Sequence, residues 1–434
     1  MGNVILKSLF AENFASFAER IIFTTETDSS KKEHLDNCFV NGDLRFNKVS
    51  FLYGANGSGK TFFCKILREI QRYLTLSPLI IASDNTQILS TPHLRELDAP
   101  VKPFAFDTAS QKKPTTFGIE IMLSRTVYHY EFSVLGKQVV YELLTKKFRR
   151  TEKLIERTSP AYKDILLRSE LKGFDPTKQT VKPEALCLPV AAMLNNALAS
   201  QLNNAIRGIQ VVNMAAGRLD PINPMRTFSK ERIEKYLRII QKADPTIRDI
   251  TVSYSEEEVA RQKIAIDDFE NREIIATKTT VGIDTKHVVY NGEEELINQA
   301  PITFFAEESL GTIKLFTALP YLFDVLETGG VLIIDELENG LHVSLAKEII
   351  GLFSDESSNP NNAQLICTSH QPLLLNGAFR RDQVWIVSKD SFGKSVLHRM
   401  SEMATPRAKV DLPAQILRGA FGCNPEIFFD NSTY

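Results

Sequence analysis

Four groups of residues along this 434-residue chain could do chemistry by their type and spacing. The first is Gly54-Ala55-Asn56-Gly57-Ser58-Gly59-Lys60-Thr61, the pattern G-x-x-x-x-G-K-T. Its glycines let backbone amides and a helix N-terminus wrap around phosphate oxygens. Lys60 is expected to reach the β- and γ-phosphates of a nucleotide, and Thr61 to offer its hydroxyl to Mg²⁺. The nucleotide-contacting stretch is expected to run from Gly54 through Phe62. A glycine-rich turn capped by a helix would give the same letters, so what flanks the pattern matters.

The second group is Val331-Leu332-Ile333-Ile334-Asp335-Glu336. Four apolar residues predict a strand buried on both faces. Its carboxylates then emerge at the C-terminal end, where open α/β sheets bind ligands. Asp335 is expected to hold Mg²⁺, usually through water, and Glu336 to polarise the attacking water as general base. The third is Ser369-His370, placed to reach a γ-phosphate from the end of another strand; a lone histidine there is otherwise structural. The fourth is Glu308-Ser309-Leu310-Gly311-Thr312, where Ser309 and Gly311 open a helix. That is either a second anion site or plain helix capping.

The elements that must position these groups follow from hydrophobic pattern. Val4-Ile5-Leu6 begins a strand. Val49 to Tyr53 is a β-branched and aromatic run stopped by Gly54. From Thr61 to Tyr73 the apolar residues Phe62, Phe63, Ile66, Leu67 and Ile70 have the spacing of an amphipathic helix. The phosphate-type loop therefore lies between strand and helix, which favours the phosphate reading. Ser77 to Pro114 is punctuated like a surface loop. Phe117–Leu123, Tyr128–Val134 and Val139–Leu144 read as antiparallel strands. Between Lys137 and Lys182 twelve Lys/Arg stand against six Asp/Glu, and the first part of this stretch is expected to be helical and basic. Leu186–Ile206 and Ser229–Ala243 read as helical, and Ile250–Val289 as strands. From 301 onward helix and strand alternate, with strands at Val331–Ile334, Gln364–Thr368 and Val384–Val387. That alternation predicts parallel strands with crossover helices.

Composition narrows the class. The chain is 43% hydrophobic with a net charge of −2, so nothing global favours a polyanionic partner. Five cysteines (Cys38, Cys64, Cys187, Cys367, Cys423) lie far apart and read as free thiols of a reducing compartment. No apolar stretch approaches the roughly 18 residues that span a bilayer. The N-terminus reads as a strand rather than a signal peptide. A cytoplasmic location with no membrane association is expected.

Together the motifs make the chain resemble the ABC-type ATPases of SMC, Rad50 and OLD proteins. The resemblance is closest to the bacterial AAA15 ATPases that include RloA and the ATPase component of the AbiL abortive-infection system. It rests also on Glu12-Asn13-Phe14-Ala15-Ser16-Phe17, Lys113-Pro114-Thr115-Thr116-Phe117, Tyr128-His129-Tyr130, Asp335 to His342, Arg380 to Trp385, and Leu417-Arg418-Gly419-Ala420-Phe421-Gly422. It implies an α/β P-loop NTPase of ABC-ATPase type, a mixed sheet with an antiparallel β subdomain and a mostly helical insertion. The expected division is 1–145 for the N-terminal part of the ATPase head, 146–300 for an inserted helical/mixed subdomain and 301–434 for the C-terminal part. ATP and Mg²⁺ are the implied ligands, with ATP hydrolysis as the activity. The resemblance further implies a homodimer or higher oligomer that sandwiches ATP. Ser309 and Gly311 would then act on the partner copy's nucleotide, His370 would be the switch histidine, and Gln111 is the candidate glutamine for Mg²⁺ and water. The signature here is Glu-Ser-Leu-Gly-Thr rather than L-S-G-G-Q, and Val343 stands where proline often follows Leu-His.

Two functions from different classes compete. One is a defence-type ATPase in anti-phage abortive infection that controls a separately encoded effector, a nuclease or toxin. Its motivation is the resemblance, plus the 64 residues after His370, which carry no metal-binding carboxylate cluster. The other is a Rad50-like DNA-repair ATPase with a nuclease partner. The insertion lacks heptads for long coiled-coil arms, although Lys146-Lys147-Phe148-Arg149-Arg150 could contact nucleic acid. A transporter ATPase is disfavoured because 275 positions separate Lys60 from Asp335.

Overall fold

The computed structural model describes residues 4–31, 33–82, 99–171, 181–215, 227–265, 271–375, 379–403 and 412–419, with the side chains of 256–280 and 412 set aside. Ala420-Phe421-Gly422 and Cys423 lie outside the described residues. The chain divides into two units: 1–215, 321–339 and 346–434 in the first, and 216–320 with 340–345 in the second.

The first unit begins with β1 (Val4–Glu12) and β2 (Ile21–Thr24), followed by the hairpin β3 (Cys38–Asn41) and β4 (Leu44–Asn47). Next comes β5 (Val49–Tyr53), buried at all five positions, Ser50 included. Helix α1 (Lys60–Ala82) follows the glycine loop. Its apolar face, Phe63, Ile66, Leu67 and Ile70, enters one core with Leu6, Phe23, Phe117, Phe132 and Trp385. The helix runs further than expected, because the segment from Ser77 to Ala82 is helical rather than loop. Ser77 is fully buried, its Oγ donating to the Tyr73 carbonyl (2.7 Å) and accepting from the Leu186 amide (2.9 Å). Packing there overrides the helix-breaking tendency of Pro78.

Strands β6 (Thr115–Leu123), β7 (Thr126–Leu135) and β8 (Gln138–Lys147) form the expected antiparallel run. The basic segment beyond them is strand, not helix: β9 (Thr151–Arg157) and β10 (Ile165–Leu167) continue the same sheet. Its Lys, Leu and Glu residues favour helix only weakly. Pairing of β9 with the open edge of β8 decides instead, with Arg157 of β9 opposite Glu142 of β8, which is fully buried and accepts from the Tyr130 hydroxyl at 2.9 Å. The seven-stranded sheet runs β10-β9-β8-β7-β6-β1-β2. Helices α2 (Cys187–Met193) and α3 (Ala197–Arg207) follow, then β11 (Gln210–Asn213).

The second unit holds α4 (Lys230–Ala243) and a three-stranded antiparallel sheet of β12 (Ile247–Ala265), β13 (Asn271–Tyr290) and β14 (Leu296–Thr303). It also contains the first half of α5 (Leu310–Thr328), whose Phe316 lies 5.8 Å from Phe228 and 4.7 Å from Phe304 between ring centroids. Back in the first unit are β15 (Val331–Asp335), α6 (Val343–Ser354, entered from the second unit), β16 (Gln364–Ser369), β17 (Val384–Lys389) and β18 (Ser395–Arg399).

These strands make a six-stranded sheet in the order β11-β15-β16-β5-β17-β18. All pairs are parallel except β17 with β18. Buried Gln364 ties the two sheets together, accepting from the Leu6 amide at 2.8 Å and donating to the Leu6 carbonyl at 3.2 Å. The α/β architecture expected from the alternation is present, and it aligns the ends of β5, β15 and β16. No helix among the described residues is long and apolar enough to cross a membrane.

Candidate nucleotide-binding site

The glycine loop has a shape that larger residues could not adopt. Gly57 and Gly59 take φ values of +76° and +117°, a region L side chains avoid. A Cβ on Gly54 would stand 2.3 Å from the Val387 carbonyl oxygen. One on Gly59 would meet the hydroxyls of Ser395 (2.6 Å) and Ser16 (2.9 Å). Those two serines brace the loop. Ser395 Oγ donates to the Ser58 carbonyl (2.5 Å) and accepts from Ser16 Oγ (2.8 Å), and its amide donates to the Ser16 carbonyl (2.8 Å). Their part was not visible in the sequence, because Ser395 lies 337 positions from Ser58.

Inside the loop, Lys60 Nζ donates to the carbonyls of Gly54 (2.7 Å) and Ala55 (2.8 Å). Burial lowers the Lys60 pKa, against the pull of Glu338, Glu336 and Asp335 in that order. Ser58 Oγ is buried without a hydrogen-bond partner, while Asn56 and Gly57 are exposed at the tip. A glycine cradle, an ammonium and an unpartnered hydroxyl fit a polyphosphate. Thr61 and Phe62 are half-buried in the first turn of α1, with Lys65 Nζ 5.1 Å above the Phe62 ring.

At the end of β15, Asp335 is 2% exposed. Its Oδ1 accepts from Thr368 Oγ1 (2.7 Å) and its Oδ2 from Asn213 Nδ2 (3.3 Å). Thr368 also accepts from the Glu336 amide at 2.9 Å and gives its carbonyl to the Leu337 amide at 3.1 Å. The turn after β15 is thereby locked to β16. Glu336 is held at φ +56°, left-handed without being glycine, at a cost of about 1–3 kcal/mol. Asn339 supports that conformation, donating its side-chain amide to Glu336 Oε2 (2.8 Å) and its backbone amide to the Glu336 carbonyl (2.9 Å).

Glu338 is the acidic residue to which the sequence reading gave no role. Its Oε1 accepts from the His370 amide (2.7 Å) and pairs with His370 Nδ1 (2.9 Å). The carboxylate is 8% exposed against 48% for the imidazole, and Glu338 Oε2 is buried without a partner. His370 is therefore held at its base and open at its far edge. The only signal in the sequence was a third carboxylate two positions beyond Glu336.

Other candidates lie elsewhere. Ser309 Oγ accepts from the Thr312 amide (3.1 Å) at the start of α5, so within one copy it caps its own helix. A Cβ on Gly311 would stand 2.9 Å from the Gly340 carbonyl oxygen. Gln111 is exposed in a short turn before β6 and donates to the Ala105 carbonyl at 3.2 Å. No described hydrogen bond joins it to Asp335 or to the loop. Among the described residues no group of three or more His, Cys, Asp or Glu could hold a metal ion unaided. Thr61 and Asp335 suit Mg²⁺ when phosphate oxygens and water complete its shell.

The family described as "AAA domain, putative AbiEii toxin, Type IV TA system" matches residues 49–179 and 199–376, which take in the loop, β15 and His370. No curated protein matches the chain. Among solved structures, the chain is similar to the SmcHead bound to the C-winged helix domain of ScpA, at 13% identity, covering 91% of this chain and 97% of that one, with a TM-score of 0.43. It is similar also to the SMC head domain from Thermotoga maritima, at 12% identity, 91% and 98% coverage and a TM-score of 0.35. A third is the Smc head domain with an extended coiled coil bound to the C-terminal domain of ScpA derived from Pyrococcus furiosus, at 13% identity, 91% and 96% coverage and a TM-score of 0.37. Matched over more than half its length, with the loop and the acidic strand inside the match, the chain belongs to the AAA domain family described as putative AbiEii toxin, Type IV TA system.

Proposed function

We propose that this chain is an ATP-hydrolysing ABC-type ATPase that dimerises around ATP and regulates a separately encoded effector in bacterial anti-phage defence, in the cytoplasm. The observation that carries the catalytic part is the convergence on Lys60. A buried ammonium in a glycine cradle feels the charges of Glu338, Glu336 and Asp335, with His370 at the end of the neighbouring strand. In this reading the loop amides and Lys60 bind the β- and γ-phosphates. Lys60 leaves the Gly54 and Ala55 carbonyls to do so. Thr61 and Asp335 would hold Mg²⁺, which would neutralise charge on the phosphates. Glu336, fixed by Asn339, takes a proton from the water that attacks the γ-phosphorus. The bond from that phosphorus to the bridging oxygen breaks, leaving ADP and phosphate. His370, in the same reading, donates a hydrogen bond to the γ-phosphate.

The regulatory part draws on the family's description, which refers to a toxin of a type IV toxin–antitoxin system. Glu336→Gln tests the catalytic reading. ATP binding is expected to persist, hydrolysis to fall by about a hundredfold or more, and a nucleotide-bound dimer to accumulate on size-exclusion chromatography. Loss of ATP binding in this variant would assign Glu336 another role. A pull-down from the native host, with the neighbouring open reading frame present, tests for the effector.

A further inference from the structure

The two most exposed large apolar side chains among the described residues are Phe392 (76%) and Phe106 (72%). Both belong to the surroundings of the phosphate loop. A Cβ on Gly393 would lie 2.8 Å from the Phe106 ring, so Phe106 rests on the turn that carries Phe392. Two residues further on, Ser395 donates to the Ser58 carbonyl inside the loop. Three residues of chain, from Phe392 to Ser395, reach at most about 11 Å. The aromatic pair therefore flanks the phosphate cradle, within the length of a nucleoside.

Neither residue rides on a slack loop. Asp390 Oδ1 accepts from the amides of Phe392 (2.9 Å) and Lys394 (2.8 Å), and the Asp390 amide donates to the Lys394 carbonyl (2.9 Å). On the other side, Phe106 packs edge-on against buried Phe104 with centroids 5.7 Å apart, and the Phe104 amide donates to Asn13 Oδ1 at 3.1 Å. Two apolar rings are thus held in water by rigid, hydrogen-bonded backbone. Two exposed rings gathered at one turn, rather than scattered singly, form the kind of apolar patch that marks a ligand site.

Strand order supplies the direction. On one side of β5 lie β16 and β15, which bring His370, Asp335 and Glu336; on the other lie β17 and β18, whose connecting turn carries Phe392. A nucleotide with its γ-phosphate toward the carboxylates has its base pointing the opposite way, toward that turn.

We propose that Phe392 and Phe106 form the nucleobase subsite, stacking on the base of the bound nucleotide and setting its affinity. The inference rests on the nucleotide-binding reading above. It gives the site a second region, in which an aromatic face replaces charge as the source of binding.

The experiment compares Phe392→Ala, Phe106→Ala and the double variant with the unaltered chain, using ATP, ADP and inorganic tripolyphosphate as ligands in isothermal titration. Each single variant is expected to weaken ATP and ADP binding by about tenfold while tripolyphosphate binding stays unchanged. Phe392→Tyr is expected to keep near-normal affinity. Unchanged nucleotide affinity in both single variants and in the double variant overturns the proposal. So does an equal loss for tripolyphosphate, because the residues would then be shaping the loop rather than holding the base. If the unaltered chain binds none of the three ligands, the nucleotide-binding reading itself fails.

Discussion

Glu338 decides how His370 is presented. One carboxylate oxygen holds both the backbone amide and Nδ1 of the histidine, which leaves Nε2 free to face a phosphate. Charge-assisted hydrogen bonds are roughly twice as strong as neutral ones. Replacing the carboxylate with an amide should therefore loosen the imidazole without emptying the loop. For Glu338→Gln the expected result is a kcat lowered by about tenfold with the KM for ATP nearly unchanged. A parallel loss of ATP affinity would show that Glu338 serves the loop instead. Lys60→Ala removes the ammonium of the glycine cradle, which feels the charge of three carboxylates, and ATP binding is expected to disappear from equilibrium titration. Unchanged turnover in that variant would refute the loop assignment. Lys60, Asp335, Glu336 and His370 were legible in the sequence because each stands in a short motif beside an apolar strand. Glu338 was not, because its function depends on the meeting of β15 with β16.

The seven-stranded sheet carries its own titrating device. His129 on β7 pairs with Glu120 (3.3 Å) on β6 and Glu131 (3.2 Å) on β7 itself, and stacks on Phe10 of β1 at 5.4 Å. Lys7 also faces Glu120, and Arg20 faces Glu131. Burial opposes the charge on His129, but its bonds to the two glutamates outweigh this and raise its pKa from 6.5 to about 9. Burial likewise opposes the charge on Glu120, and bonds from His129, Lys7 and Ser8 overcome it, lowering its pKa from 4.5 to about 2. A raised histidine stabilises the fold fully below 6.5 and loses that contribution as pH climbs to about 9. A lowered glutamate stabilises above 4.5 and loses its contribution as pH falls toward about 2. Thermal unfolding followed across pH should show His129→Gln flattening the alkaline decline between 6.5 and about 9. The same slope in variant and parent would mean that His129 does not control it. The pairing behind this device explains why the sequence misled over the neighbouring segment. Lys146, Lys147 and Lys153 look helical by composition, yet the hydrogen bonds of β7, β8 and β9 fix them as strand. The reverse holds for β5 and β15, where largely apolar runs ending in glycine or carboxylate were readable directly.

At the scale of the whole molecule, the open matter is whether one copy makes a complete site. In each copy Ser309 caps α5 through the Thr312 amide, while its hydroxyl lies 2.8 Å from Thr312 Oγ1. The helix start to which it belongs is also a set of amide donors suited to an anion. A sandwiched dimer would place that helix start against the partner's γ-phosphate, and mixing two inactive variants can tell the arrangements apart. Lys60→Ala disables the loop, and Ser309→Arg disables the helix start. If the two features act across the dimer, a mixed dimer contains one fully intact pair. Random assortment of equal amounts then gives about a quarter of the parental ATPase rate, since half the dimers are mixed and each has one good site of two. If both features act within one copy, every site in the mixture lacks something and no activity returns. Loss of the cap costs about 1 kcal/mol, too little to unfold a core of this size. Recovery on mixing would itself show that both variants are folded, so a mixture as inactive as its components would count against the shared site once circular dichroism had confirmed their folds.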